Sequence, residues 1–285
     1  MSGGVTRRYF RALRDRHPRF ASWYKGIRRF SGFLGEIPPS GYWRAKKLIR
    51  LYRAIHHTQL SVARLSNAYE LALETERARR PGAIVEYGVW RGGCAAVMAM
   101  VSAGSHRRIW LFDSFQGMPA ATDKDGDEAR QLTNRFDGSL TPVGSIVATL
   151  EEVRNYLLGR IKLDPRDVLI RPGWFQETLP AARSEVGPIA ILRLDGDWYE
   201  STLCCLRHLY DQLIEGGYLI VDDYGHSPGC RKAVEEFFEE RGIRPRWRWI
   251  DYTGVYLQKE RETTPAIQAI APAGERRGAA LGARA

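Results

Sequence analysis

Between residues 83 and 258 the chain alternates short apolar runs with helix-forming stretches, and few folds accept that pattern. The runs at 83–89, 109–113, 167–171, 189–194 and 217–222 are rich in Ile, Val and Leu, as strands buried on both faces must be. Gly92-Gly93 opens a small-residue helix that runs to Met100, and further helices are expected over 201–214 and 230–241. The last two segments, 246–251 and 254–258, are separated only by Tyr252-Thr253 and read as a hairpin. Repeated strand–helix–strand units place strands parallel with helices on both faces. The expected fold is therefore α/β: a mostly parallel seven-stranded sheet closed by an antiparallel hairpin.

The flanks differ from this middle. Residues 1–82 hold 18 Lys/Arg against 5 Asp/Glu, whereas the remainder holds 25 against 28, so the net charge of +10 comes from the N-terminal part. Three regions follow: a basic helical extension over 1–60, a catalytic-looking domain over 61–259, and a disordered tail over 260–285, where Ala, Gly and Arg leave little apolar bulk. The helix that opens the domain spans 61–80, with Leu65, Ala68, Tyr69, Ala72 and Leu73 on one face, and Pro81-Gly82 ends it. No apolar run approaches the ~20 residues of a membrane span, and the basic N-terminus lacks the apolar core of a signal peptide. Cys94, Cys204, Cys205 and Cys230 show no zinc-ligand spacing and read as reduced structural thiols, which together point to the cytoplasm.

In such sheets the ligand sits beyond the carboxyl ends of the strands. After the first strand comes Glu86-Tyr87-Gly88-Val89-Trp90-Arg91-Gly92-Gly93, spaced Glu-x-Gly-x-x-x-Gly. A dinucleotide loop would need a further glycine at Val89-Trp90. A sulfonium cofactor has no phosphates to hold and suits an acid beside glycines, which Glu86 supplies. Asp113, ending the second strand beside Ser114, is suited to accept hydrogen bonds from both ribose hydroxyls. Gly173-Trp174-Phe175 follows the third strand, where a flat aromatic could stack on a base or pack in the core.

The fourth strand runs into Asp195-Gly196-Asp197-Trp198-Tyr199-Glu200-Ser201, and the fifth into Asp222-Asp223-Tyr224-Gly225-His226. If these strands are neighbours, Asp195, Asp222 and Asp223 meet in one small volume, where like charges need compensation. A hard divalent cation with all-oxygen ligands supplies it. Ser201, or else Asp197, is expected to cap the following helix.

Residues 85–93 (VEYGVWRGG), 111–119 (LFDSFQGMP), 194–202 (LDGDWYEST) and 221–225 (VDDYG) resemble the macrocin O-methyltransferase family, over roughly residues 60–258. The resemblance implies a Rossmann-like class I methyltransferase, a homo-oligomer dependent on S-adenosylmethionine and Mg²⁺, acting on a sugar hydroxyl of an antibiotic-like glycoside. It implies that Asp195 is both a metal ligand and the general base, that Asp222 and Asp223 are the other metal carboxylates, and that Glu86, Tyr87, Gly88 and Asp113 contact the cofactor. The extension would form a lid over the substrate. His226 is the second candidate base, since histidine is the side-chain type best suited to proton transfer near neutrality. Two other functions fit parts of the chain: methylation of a catechol or other aromatic diol, and a nucleic-acid or membrane-surface binder using the N-terminal arginines. The acids at the strand ends argue against nucleic acid as a partner.

Overall fold

The computed structural model describes residues 42–260 apart from 128, 130–132, 134–136 and 145, with side chains from residue 45 onward. The expected extension before residue 42 and the tail from 261 lie outside the described residues. The chain opens with α1 (Tyr42–Ala54), a 3₁₀ turn (Ile55–His57) and α2 (Val62–Arg77). Strands and helices then alternate: β1 (Ala83–Tyr87), α3 (Gly93–Ser102), β2 (Ile109–Asp113), α4 (Leu150–Arg154), β3 (Val168–Pro172) and α5 (Phe175–Val186). After these come β4 (Ile189–Leu194), α6 (Tyr199–Leu209), β5 (Leu213–Val221), α7 (Pro228–Glu240), β6 (Arg248–Trp249) and β7 (Val255–Gln258).

The strands form one seven-stranded sheet in the order β3-β2-β1-β4-β5-β7-β6. All neighbours run parallel through β5, and β7 and β6 are joined antiparallel, as the hairpin pattern predicts. The order reverses at β1, between β2 and β4, which opens the crevice where ligands of doubly wound sheets sit.

Two apolar layers sandwich the sheet because successive strand residues point to opposite faces. Ile84, Leu111, Ile191 and Ile220 meet α1–α4, whereas Val85, Trp110, Leu192 and Leu219 meet α5–α7. Each such fully buried side chain stabilises the fold by about 1.5–3 kcal/mol. Residues 42–60, the described end of the expected extension, join this packing through Leu51, Ala54 and Leu60. Among the described residues no helix is long and apolar enough to cross a membrane.

Several local expectations shift. β2 and β4 match residue for residue, and α2 starts one residue inside the expected helix because Ser61 is its N-cap, accepting a hydrogen bond from the Arg64 amide at 3.1 Å. The helix expected to reach 214 ends at Leu209. A 3₁₀ turn (Tyr210–Gln212) intervenes, and β5 begins at Leu213, passing through Gly216 with φ +75°, a conformation that favours glycine. Ser201 lies inside α6, whose N-cap position is Trp198, so neither Ser201 nor Asp197 caps that helix.

Candidate active site

Glu86, Arg193 and Asp222 form a polar row on three neighbouring strand ends. The two-residue period puts them on the same face as Ile84, Ile191 and Ile220, and β-sheet register sets Glu86 beside Arg193. Arg193 is 1% exposed. Its Nη1 donates to Glu86 Oε1 at 2.7 Å, and its Nη2 donates to Asp195 Oδ2 at 2.8 Å and Asp222 Oδ1 at 2.9 Å. Arg64, reaching in from α2, donates to the other Asp222 oxygen and pairs through Nε with Asp251 at 3.1 Å. Buried ions survive only with such partners, because desolvation otherwise exceeds the attraction. Burial pushes the Glu86 carboxyl up to about 8 against the pull of Arg193.

Beside this row lies a denser cluster. Oxygens of Asp195, Asp197 and Asp223 all fall within 4.8 Å of one another. Burial, then the neighbouring Asp195 and Asp222, raise the pKa of Asp197; burial, then Asp197, raise that of Asp223. Asp223 Oδ2 is buried with no hydrogen-bond partner. An all-oxygen set under mutual repulsion, with an orphaned carboxylate oxygen, fits a hard divalent cation. Asp222, expected as a ligand, accepts from two guanidiniums, Arg64 and Arg193, and Asp197 stands beside Asp195 and Asp223. The signal for Asp197 was its position two residues after Asp195 in a glycine-containing loop. Its φ of +53° shows how tightly that loop is bent.

The turn after β1 closes the other end of the site. Gly88 has φ +73°, and a Cβ there would collide with the Asp195 carbonyl. The Asp195 amide also donates to the Tyr87 carbonyl at 3.0 Å, so the glycine turn and the acidic loop are held against each other. A Cβ on Gly93 would stand 2.5 Å from the His57 carbonyl, which presses the start of α3 onto the 3₁₀ turn. That His57 ring stacks on Tyr156 with centroids 3.7 Å apart, and burial, then Arg160 and Arg91, lower its pKa to about 4.

Asp113 holds the turn from the second strand. Its Oδ2 accepts from the Val89 and Trp90 amides at 2.8 and 3.0 Å, and its Oδ1 from the Phe115 amide at 2.7 Å. A carboxylate offers about four acceptor positions, so about one remains for a ligand. Burial raises its pKa against these three amides.

These groups line one cleft of about 350 Å³, within the range of small-molecule sites. Glu86, Gly88, Asp113, Ser114, Trp174, Phe175, Asp195, Asp222, Asp223 and His226 all line it. Tyr87 and Gly173 do not. The Tyr87 ring points to the opposite face of the sheet, in the α5–α7 core, and Gly173 serves through its amide, which donates to the Asp113 carbonyl at 3.0 Å. Six carboxylates in the lining face two guanidiniums, Arg64 and Arg193, so the cleft attracts cationic ligands. Neither guanidinium stood out in the sequence, since each finds its carboxylates only once distant segments pack.

Comparison with known proteins places the chain in a family. Residues 50–259 match the family described as Macrocin-O-methyltransferase (TylF). The mycinamicin III 3''-O-methyltransferase of Micromonospora griseorubida is 36% identical over 211 residues, covering 73% of this chain and 80% of that protein. The 8-demethyl-8-(2,3-dimethoxy-alpha-L-rhamnosyl)-tetracenomycin-C 4'-O-methyltransferase of Streptomyces olivaceus is 36% identical over 229 residues, covering 79% and 82%. The solved structure of the O-methyltransferase NovP superposes with a TM-score of 0.62 at 36% identity, covering 72% of this chain and 83% of that one. With a class I methyltransferase sheet and a match across most of its length, the chain belongs to the macrocin O-methyltransferase (TylF) family.

Proposed function

We propose that the protein methylates a sugar hydroxyl on a glycosylated natural product, using S-adenosylmethionine and a divalent cation such as Mg²⁺. The observation that carries this reading is the convergence of Asp195, Asp197 and Asp223 beside the glycine turn in one cleft. The rhamnosyl group in the name of the tetracenomycin relative supports a sugar as the acceptor.

When bound, S-adenosylmethionine supplies an electrophilic methyl on its sulfonium, and a divalent cation lowers the pKa of a hydroxyl beside it. The chain's residues do the rest by placement. Gly88 lets the backbone approach the cofactor, Asp113 offers its remaining acceptor position to a ribose hydroxyl, and Trp174 and Phe175 give an apolar wall for a flat base. Asp195 and Asp223 hold the cation, with Asp222 and Asp197 beside them. Arg193 fixes Asp195 through Oδ2, which leaves Oδ1 to take the proton of the reacting hydroxyl. His226, also in the lining, is the second candidate for that role. The assembly expected of the family is a cytoplasmic homo-oligomer. The four free cysteines are compatible with a reducing compartment, and light scattering of the purified protein tests the assembly.

The test is a methylation assay on deoxysugar glycosides and catechols, with Mg²⁺, with EDTA, and after Mg²⁺ is restored. Turnover is expected on glycosides and is lost in EDTA. Asp195→Asn is expected to lower kcat by ~10²–10⁴, and His226→Ala by only about 10-fold. Undiminished turnover in EDTA overturns the cation, and methylation of catechols alone overturns the substrate class.

A further inference from the structure

The two acidic loops each run straight into a helix: Asp195 and Asp197 precede α6, and Asp222 and Asp223 precede α7. Both helix starts meet one carboxylate that lies outside the cleft lining. Asp125 ends a 3₁₀ turn (Asp123–Asp125) in the long segment after β2 and is 1% exposed. Its Oδ1 accepts from the Tyr199 amide, the first residue of α6, at 2.6 Å. Its Oδ2 accepts from the Thr122 amide at 2.6 Å and the Thr122 hydroxyl at 2.9 Å. At α7, Gly229 packs so closely that a Cβ would collide with Asp125 Oδ1 and lie 3.0 Å from its Cα.

We infer that Asp125 is a positioning residue which sets the separation of the two acidic loops. A helix N-terminus has unpaired amides and a positive end, and a carboxylate satisfies both. α6 has no side-chain cap of its own at Trp198, so Asp125, delivered from 74 residues away, does that work. The same carboxylate then blocks α7 from moving inward. Two more bonds tie the unit together: Trp198 Nε1 donates to the Pro119 carbonyl at 3.1 Å, and Ser227 Oγ donates to the Asp197 carbonyl at 2.5 Å. The segment after β2 thus holds the Asp195–Asp197 loop from one side, and α7 holds it from the other. Any role in cation binding rests on the cation reading above.

Hydrogen exchange of the full-length, cation-free protein tests the positioning directly. In Asp125→Asn one of the two side-chain positions becomes an NH₂ donor, so either the Tyr199 or the Thr122 amide loses its acceptor and the negative charge at the start of α6 is gone, while side-chain shape is kept. Exchange over 195–203 and 222–230 is expected to speed up by about 5- to 10-fold, the worth of a lost cap, with 84–100 unchanged. Mn²⁺ binding followed by electron paramagnetic resonance is expected to weaken by about 10-fold, as loss of a supporting residue typically does. Affinity for S-adenosylhomocysteine, whose site is built on β1 and β2, is expected to stay within about 2-fold. If Asp125→Asn does not fold, Thr122→Val removes one of the carboxylate's bonds and is expected to give the same pattern more weakly. Unchanged exchange over 195–203, or equal loosening of 84–100, overturns the inference. Wild-type protein that fails to bind Mn²⁺ overturns the cation reading instead, and the exchange pattern still decides the role of Asp125.

Discussion

A guanidinium as buried as Arg193 draws its stability from its partners, and its partners from it. Removing the charge leaves Glu86, Asp195 and Asp222 facing one another with only Arg64 in reach of Asp222. Arg193→Met is expected to destabilise the cation-free protein by about 3–5 kcal/mol in urea unfolding, the usual loss when one member of a buried ion pair is deleted. His57 gives a second residue-level outcome. Its folded pKa of about 4 lies below the 6.5 of an unfolded histidine, so acid favours the unfolded chain between those values. The contribution of His57 to stability is therefore complete above pH 6.5 and is lost as pH falls towards 4. Thermal unfolding from pH 4 to 7 is expected to show a shallower rise in His57→Gln than in the wild type. At this scale the acids were legible in the sequence, because strand ends and glycine turns mark them. Their counter-ions were not, since Arg193 reads as a lapse in an apolar strand and Arg64 as one more charge on a basic helix.

Among the elements, α2 does most to link the start of the described chain to its end. Ser61 Oγ donates to Asp251 Oδ2 at 2.5 Å, and Arg64 bridges Asp251, in the turn between β6 and β7, to Asp222 at the end of β5. Arg64 therefore competes with the proposed cation for the negative charge of Asp222, which stands beside the cation's ligands. Arg64→Met is expected to lower stability in EDTA by about 2–4 kcal/mol while tightening Mn²⁺ binding. Weaker Mn²⁺ binding would show that Asp222 needs Arg64 to stay in place and that no competition exists. The strands were readable because parallel strands buried on both faces are nearly continuous apolar runs. α5 was not: Pro180 lies within it, and its start coincides with Trp174-Phe175, residues already attractive as a cofactor wall. α6 was extended too far because Leu213 and Ile214 suit either a helix or a strand.

For the whole molecule, charge and chemistry are segregated. The excess of basic residues precedes residue 83, whereas the cleft lining is acidic. Removing residues 1–30 is expected to leave S-adenosylhomocysteine affinity within about 2-fold, as for a distant independent change, while lowering turnover of the native glycoside; unchanged kinetics on that substrate would deny the segment a part in substrate access. The sheet order has a different consequence, for synthesis. β7, the last of the described strands in chain order, sits inside the sheet between β5 and β6. While the chain emerges from the ribosome, β5 therefore keeps one edge unsatisfied until Val255–Gln258 appears, even though its other neighbour, β4, is already present. Such an open apolar edge is a template for pairing with another nascent chain. Asp222 and Asp223, at the tip of that strand, thus reach their final surroundings only after Val255–Gln258 has been made, so that a partly made polypeptide has its glycine turn before its acidic centre.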